Sequence, residues 1–183
     1  MSPDLRGLAL CGLLTSLPLS AQDGAAWARQ GEGASYQFQL RAHRALGDLR
    51  ATTQDATGGG GGFLMILGTT PLRLRLRMDG DDLPARPPAS NLRTAGLGLE
   101  ALYLLPFAPD WEPYVALGPA LQHWEYRPVE APGAPRRTFN KLATRLELGF
   151  WAHRHVGLSA GYLQGPLDAG RTARMIYLGF NFR

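Results

Sequence analysis

The sequence predicts an all-β fold, namely a single barrel of eight antiparallel strands joined as an up-and-down meander. Three observations predict it: apolar residues recur at every second position, eight segments share this period, and the connections between the segments alternate in length. A period of two places successive side chains on opposite faces of a strand, whereas an amphipathic helix needs a period of about 3.6. No segment has a convincing helical period.

The first four strands are predicted from their apolar residues, which alternate with polar residues or glycine in three of them. The first, at 34–44, sets aromatic and aliphatic residues against Gln, Arg and His. The second, at 62–69, is almost wholly apolar, and the third, at 71–79, alternates leucine with a row of arginines. The fourth, at 92–105, sets Leu, Ala and Tyr against glycines and a glutamate. The first, third and fourth therefore have one apolar and one polar or glycine-rich face.

The last four strands continue the same period. The fifth, at 113–126, carries several aromatic residues, and the sixth, at 140–151, sets Leu and Phe against Arg, Glu and Gly. The seventh, at 155–164, sets Val, Leu, Ala and Tyr against Gly and Ser. The eighth, at 172–182, sets Ile, Leu and Phe against Met, Tyr, Gly and Asn. The β-branched and aromatic content of these segments also favours strands.

The predicted connections are short at one end of the barrel and long at the other. Short ones lie at 69–71, 106–112 and 152–154, and longer ones, rich in Gly, Pro, Asp and Arg, at 45–61, 80–91, 127–139 and 165–171. This asymmetry is typical of an outer-membrane barrel, with short periplasmic turns and long external loops.

Two segments beside these loops have motifs that need an interpretation. The five glycines at 58–62 lack the Lys and Ser/Thr of a phosphate-binding loop, so we expect a mobile end of the first external loop. The segment at 79–82, Asp-Gly-Asp-Asp, is similar to a fragment of a calcium loop but lacks the downstream Glu. We expect it to be a solvated loop tip.

We expect three segments along the chain: a cleaved signal peptide at 1–21, an N-terminal periplasmic segment at 22–33 and the barrel at 34–183. Residues 8–19 are apolar but too short to cross a bilayer as a helix, and Arg6 precedes them. Cleavage is expected after Ala21, with Ala26 as the alternative. It removes Cys11, the single cysteine, so neither disulfides nor thiolate-bound metals are expected.

The polar faces of the strands distinguish a membrane barrel from a soluble one. Apolar residues make up 45% of the 183 residues, yet the mean hydropathy is only -0.15. In a membrane barrel the apolar faces contact lipid and the polar faces point inward, where eight strands leave a lumen just wide enough for side chains. The residues that share the inward face are Gln37, Gln39, Arg41, His43, Arg73, Arg75, Arg77, Glu100, Arg145 and Glu147.

The alternative is a soluble, lipocalin-like periplasmic binding protein whose apolar faces fill the lumen. Nearly every strand carries several leucines on its apolar face, more bulk than such a lumen holds, whereas the opposite faces are rich in glycine. Aromatic residues lie mainly near strand ends, where membrane-interface girdles occur. The sequence therefore predicts an eight-stranded antiparallel up-and-down transmembrane β-barrel. We expect its interior polar network to consist of Arg41, Arg73, Arg75, Arg77, Glu100, Arg145 and Glu147.

Two segments resemble a known family. The last strand, with Phe180 and Phe182, is similar to the C-terminal signature of Gram-negative outer-membrane barrels. Residues 111–118, Trp-Glu-Pro-Tyr-Val-Ala-Leu-Gly, resemble a stretch common in small barrels of the OmpA/OmpX-like superfamily. The resemblance implies outer-membrane localisation and insertion by the outer-membrane assembly machinery, with Phe180 and Phe182 as the assembly signal. One departure is that Arg183 follows Phe182, where such proteins usually end on the aromatic residue.

The remaining motifs favour a protein without catalysis or cofactor. His153 and His155 have no third ligand nearby, so no metal site is expected. The pairs His123 with Glu125 and His155 with Ser159 match no nucleophile motif, and His123 lies on an apolar face. The leading hypothesis is therefore a structural or surface-interaction protein, and the alternative is a barrel enzyme acting on lipid A or outer-leaflet lipid.

The arginines indicate which partners to expect. Those at 73, 75 and 77 share one strand face and are expected to pair with interior carboxylates rather than to bind nucleic acid. Four loop arginines are expected to contact the anionic head groups of lipopolysaccharide: Arg86, Arg136, Arg137 and Arg171. We expect a monomer whose partners are outer-membrane lipids and lipopolysaccharide, and a lumen too full for a general diffusion pore.

Overall fold

A computed structural model describes residues 34–67, 70–86, 91–105, 111–127, 137–153, 155–167 and 170–183. The expected signal peptide at 1–21, the segment at 22–33 and Arg136 lie outside the described residues. The strands are β1 (Ala34–Leu46), β2 (Ala56–Ile66), β3 (Leu72–Leu83), β4 (Asn91–Leu104), β5 (Pro113–Arg127), β6 (Arg137–His153), β7 (Val156–Pro166) and β8 (Thr172–Phe182).

These strands form a closed antiparallel barrel in which each strand pairs with its neighbours in sequence. Pairing of β1 with β8, from Phe38 opposite Phe182 to Leu46 opposite Arg174, closes the sheet. The predicted all-β, eight-stranded, up-and-down fold is thus confirmed. We call the end with the β2–β3, β4–β5 and β6–β7 connections the turn end, and the opposite end the loop end.

The strands continue further toward the loop end than the sequence predicted. The glycines at 58–62 are not loop but the middle of β2, where Gly58 pairs with Arg41 of β1 and Gly62 with Arg77 of β3. The segment at 79–82 is likewise not a solvated tip, because it lies in β3 with Asp79 and Asp81 buried. Both predictions were wrong because residues that usually mark turns are used here inside a crowded sheet.

The glycines of β2 allow large side chains on β1 and β3 to occupy the lumen. A Cβ at Gly60 would overlap Met78 O and lie 2.8 Å from Asp79 Cβ, and one at Gly58 would overlap the Asp81 carboxylate. By contrast, a Cβ at Gly80 would have only Thr94 O, at 3.5 Å, within ordinary contact distance. The inward glycines are therefore needed for packing, whereas Gly80 is not.

The lumen near the loop end is apolar. A one-turn helix, α1 (Asp48–Thr52), follows β1 and places Leu49 in full burial. Among the described residues, no helix is long and apolar enough to cross a membrane. We call the buried apolar cluster at this end the loop-end core, which comprises Ala45, Leu49, Ala56, Leu83, Leu92, Trp124, Ala143, Leu163, Leu167, Ala173 and Met175.

At the turn end, Arg183 is held by several contacts. Its backbone N–H donates to His155 O at 3.2 Å, and its carbonyl oxygen lies 2.9 Å from His155 Nδ1. Its guanidinium contacts Glu112 Oε2 at 2.8 Å and lies over the Trp151 ring, 4.4 Å from the centroid. The residue that departs from the family pattern therefore packs against the turn end of the barrel.

We predict that Gly60→Val lowers the free energy of unfolding by about 2 kcal/mol, because the new side chain overpacks the lumen against β3. Urea unfolding of the refolded protein in lipid vesicles, followed by tryptophan fluorescence, measures this change. The matched control is Gly80→Val, which we expect to change the free energy by less than about 0.5 kcal/mol. Equal losses in the two variants would contradict the packing role of Gly60.

Candidate functional site: the polar interior

The middle of the lumen holds a cluster of charged side chains, which we call the central ion network. It is built from alternate positions of β1, β3, β4 and β6, since every second residue of a strand points inward. Its members are Arg41, Arg75, Arg77, Asp79, Asp81, Glu100, Arg145 and Glu147, all of them buried.

Glu147 lies at the centre of this network and accepts hydrogen bonds from five side chains. Arg75 and Arg77 each donate an Nη1–H at 2.8 Å. The hydroxyls of Tyr114 and Tyr177 donate at 2.9 and 2.6 Å, and Gln39 Nε2 donates at 3.1 Å. Such a complete shell compensates the cost of removing the carboxylate from water.

Glu100 links the third strand to the sixth. It accepts Nε–H of Arg75 at 2.6 Å and Nη1–H of Arg145 at 3.1 Å, and Arg75 Nη2 also contacts it. Because Arg75 bonds Glu100 and Glu147 at once, one guanidinium connects β3 to β4 and β6 across the lumen. The fork of donors on arginine suits this bridging role.

Two aspartates extend the network toward the loop end, and neither was predicted from the sequence. Asp79 lies 2.6 Å from Arg145, 3.3 Å from Arg77 and 3.4 Å from Arg41. Asp81 lies 3.0 Å from Arg41 and 2.7 Å from His43 Nε2. The sequence could have predicted both, because positions 79 and 81 continue the series of alternate residues at 75 and 77 and therefore lie on the same face of the strand.

The central ion network is balanced in charge. It contains four arginines, namely Arg41, Arg75, Arg77 and Arg145, and four carboxylates, namely Asp79, Asp81, Glu100 and Glu147. Four positive and four negative charges sum to zero when all are ionised. A narrow lumen can therefore hold eight formal charges without a net field that attracts ions of one sign.

Arg73 is inside the barrel but separate from the network. Its Nη1 donates to the backbone carbonyls of Thr70 and Leu72 at the turn end, at 2.5 and 3.2 Å. Within the described residues it has no ion pair with Glu100 or Glu147, so the expectation of carboxylate pairing is wrong for this arginine. Arg73 lies two residues closer to the turn end than Arg75, which explains why it bonds the turn and not Glu100 or Glu147.

Small inward residues make room for this cluster. Tyr177 lies against Gly161 and Tyr114 against Gly149, where a Cβ would overlap either ring. Arg41 and Arg77 lie over the Tyr177 ring at 5.3 and 5.7 Å from its centroid. The rings thus contact cations on their faces while their hydroxyls bond Glu147, which combines cation–π and hydrogen-bond stabilisation.

The histidines do not form a catalytic pair with any nucleophile proposed from the sequence. His123 is exposed on the outer face and its Nδ1 lies 2.8 Å from Asn140 Oδ1. His155 contacts Arg183, whereas Ser159 points inward and accepts from Gln39 at 2.9 Å. In the described part of the chain, no three His, Cys, Asp or Glu residues are arranged to hold a metal ion.

The other residues singled out from the sequence lie outside the lumen. Arg86 is exposed near the loop end and its Nε donates to Thr53 O at 2.9 Å. Arg137 is exposed at the start of β6, and Arg171 donates to the Tyr126 hydroxyl at 2.9 Å. Phe180 and Phe182 lie on the outer face of β8, 58% and 40% exposed.

Solved structures of small barrels are similar to this chain at low sequence identity. Neisserial surface protein A has 17% identity over 82% of this chain and 99% of its own, with a TM-score of 0.56. Ail, the attachment invasion locus protein of Yersinia pestis, has 13% identity over 83% and 99%, with a TM-score of 0.57. The N-terminal β-barrel domain of Pseudomonas aeruginosa OprF has 18% identity over 84% and 100%, with a TM-score of 0.51.

These similarities concern the fold alone. No family model matches the sequence, and no curated protein matches it. The similar structures are eight-stranded outer-membrane barrels, and this chain forms a closed barrel of eight strands. The fold implied by the sequence resemblance is therefore confirmed.

We predict that Glu147→Gln destabilises the barrel by about 3 kcal/mol or more, because two buried arginines lose a charged partner. Urea unfolding in lipid vesicles measures the loss. The matched control is Asp82→Asn, which removes an outer-face ion pair with Arg93 at 3.2 Å whose side chains are 57% and 49% exposed. We expect it to cost less than about 1 kcal/mol. A Glu147→Gln variant as stable as the control would show that the network contributes little.

Proposed function

Because this chain has the fold of the small eight-stranded outer-membrane β-barrel proteins, we propose that it is a structural or surface-interaction protein of the outer membrane without catalytic activity. The observation that carries the proposal is the distribution of polarity, with apolar side chains on the outer wall and charged ones in the lumen. A soluble barrel has the reverse arrangement, as the lipocalin-like alternative requires.

The outer wall supports residence in a membrane. Large apolar side chains are exposed on the outward faces of the strands, among them Leu178 at 69%, Leu142 at 63% and Phe38 at 61%. Burial of apolar surface is favourable by roughly 25 cal/mol per Å², so such a wall is unfavourable in water and favourable in lipid. Aromatic pairs at the turn end, such as Trp111 with Phe150 at 5.4 Å, fit an interfacial girdle.

The interior supports a function other than diffusion. The central ion network crosses the middle of the lumen. The loop-end core fills the lumen near the loop end with Leu49, Leu83, Trp124 and other apolar side chains. A polar solute entering from the loop end would meet a buried apolar cluster first and then the ion pairs of the network. We therefore assign function to the surfaces of the barrel rather than to its lumen.

The names of the similar proteins favour a surface role. Two of them are described as a surface protein and an attachment invasion locus protein. The histidines of this chain point to the outer wall, the turn end or Asp81, which gives no support to the alternative of an enzyme acting on lipid A. We propose more specifically that this role is attachment or another surface contact made through the loop end.

For targeting and assembly, our proposal is the one predicted from the sequence. We propose that residues 1–21 are removed as a signal peptide and that the outer-membrane assembly machinery recognises the last strand. Phe180 and Phe182 are exposed on the outer face of β8, where a recognition surface for an assembly factor is accessible before the barrel closes. The outer face of β8 is also the face that contacts lipid after insertion.

Residence in the membrane is tested by fractionation and heat-modifiable migration. We predict that the protein pellets with the outer membrane, and that the unheated sample migrates differently from the boiled one on SDS gels, because a closed barrel with a paired interior resists SDS until heated. Glu147→Gln is expected to lower the temperature at which the shift disappears. A protein recovered in the soluble periplasmic fraction without any shift would contradict the proposal.

We predict that replacing Arg86, Arg136, Arg137 and Arg171 together by alanine weakens binding to lipopolysaccharide by about tenfold or more, since charge-assisted bonds to phosphate are lost. Binding of the refolded protein to immobilised lipopolysaccharide measures this. Arg50→Ala, in α1, is the control because it removes one cation near the loop end without touching the four. Unchanged binding by the quadruple variant would show that these arginines are not the contact.

A further inference from the structure

His43 is a buried histidine at the boundary between the central ion network and the loop-end core. It points inward from β1, and its side chain is 2% exposed. The inward residue before it on β1 is Arg41 of the network, and the inward residue after it is Ala45 of the core. Its register partner on β2, Ala56, also belongs to the core. On this side of the barrel the lumen therefore changes from charged to apolar at His43.

One contact joins His43 to the third strand. Its Nε2 lies 2.7 Å from Oδ1 of Asp81, and β2 lies between the two strands that carry these residues. β2 contributes Gly58 at this level, where a Cβ would overlap the Asp81 carboxylate. The contact is therefore possible because the intervening strand has no side chain there. It connects the loop end of β1 to the loop end of β3.

The same contact lies next to the first external loop. β1 leads into α1, whose Leu49 is buried in the loop-end core. After α1, Thr53 pairs with Ala85, just beyond the end of β3. The loop that contains α1 is therefore held between the two strand ends that His43 and Asp81 join.

The titratable groups on the inward faces beside His43 come from its own strand, from β3 and from β8. They are Arg41, Asp79, Asp81 and Tyr177. β2 contributes alanine and glycine at this level. The loop segment α1, which packs against β1 and β8, carries Asp48 and Arg50, and both are exposed. Asp81 is therefore the carboxylate in contact with the imidazole.

The folded lumen does not accommodate a positive charge on His43. Oδ1 of Asp81 already lies 3.0 Å from Nη2 of Arg41, so two cations would share one carboxylate oxygen. The four carboxylates of the central ion network are also balanced already by four arginines. Among the described residues, Nδ1 of His43 has no hydrogen-bond partner, and a second proton binds there when Nε2–H faces Asp81. A buried cation that is not compensated in this way is costly.

We propose that His43 is an acid-sensitive latch of the loop end. Histidine is the side chain that changes its charge between about pH 5 and 8 in ordinary surroundings. At neutral pH the uncharged ring joins β1 to β3, and α1 covers the loop-end core. In mild acid the ring is protonated and moves into water, so α1 and the adjoining strand ends open while the barrel below stays closed.

The closed loop end is thus favoured above this pH range and is lost as the pH falls through it, because the open form binds the additional proton. The inference goes beyond the proposed surface contact, since it concerns the shape of the loop end and holds whatever the loop end binds.

The test is electron paramagnetic resonance of a nitroxide on α1, in the protein refolded into phosphatidylcholine vesicles. A single cysteine replaces the exposed Arg50, in the chain with Cys11 replaced, and the mobile fraction of the label is measured at about pH 7.5 and about pH 5.5. His43→Gln keeps a polar side chain that cannot become charged, and His43→Lys introduces a permanent cation. The matched control is His123→Gln, which changes an exposed histidine on the outer wall. Heat-modifiable migration at both pH values reports the barrel separately.

We expect acidification to raise the mobile fraction about tenfold in the wild type and in His123→Gln. The label in His43→Gln is expected to stay immobile at both pH values, and the label in His43→Lys to be mobile at both. His43→Gln decides the question if His43→Lys does not fold.

A wild type without an acid response would overturn the proposal, as would a response that persists in His43→Gln. A folded His43→Lys variant whose label is immobile at neutral pH would contradict it too. Loss of the folded form on the gel in mild acid would overturn a local opening, since the barrel itself is expected to stay closed.

Discussion

Four arginines and four carboxylates share a lumen that eight strands leave just wide enough for side chains, and this confinement determines how the interior is packed. The charges must balance, because the lumen excludes most of the water that would otherwise solvate them. Groups of opposite charge must also be in contact, because a buried charge without a partner is far more costly in free energy than a buried pair. Glu147, with five donors, meets both requirements at the centre.

The placement of small residues follows from the same constraint. Arg41 and the arginines of β3 extend into the lumen, and the strand between them, β2, contributes glycines at the inward positions 58, 60 and 62. Tyr114 and Tyr177 likewise lie against glycines of β6 and β7. The polarity of the barrel is then opposite to that of a soluble protein, with charge inside and leucine outside. This arrangement is the basis for our proposal that function lies at the wall and the loop end.

The period of two was enough to predict the strands, their order and the face on which Arg75, Arg77, Glu100, Arg145 and Glu147 lie. It was not enough to locate the loop-end limits of β2 and β3. Consecutive glycines and an Asp-Gly-Asp-Asp segment have the local composition of turns, and only the long-range contacts of the lumen place them in strands. The loop-end core was missed because its residues come from all eight strands, from α1 and from the segment after β7, with no pattern along the chain.

Nitroxide scanning of β8 shows whether apolar residues face lipid and charged residues face the lumen. Single cysteines at positions 175 to 182, in the chain with Cys11 replaced, are spin-labelled after insertion into vesicles. Accessibility to dissolved oxygen is expected to be high at 176, 178, 180 and 182 and low at 175, 177, 179 and 181. A uniform profile, or high accessibility at the odd positions, would contradict this orientation of the side chains.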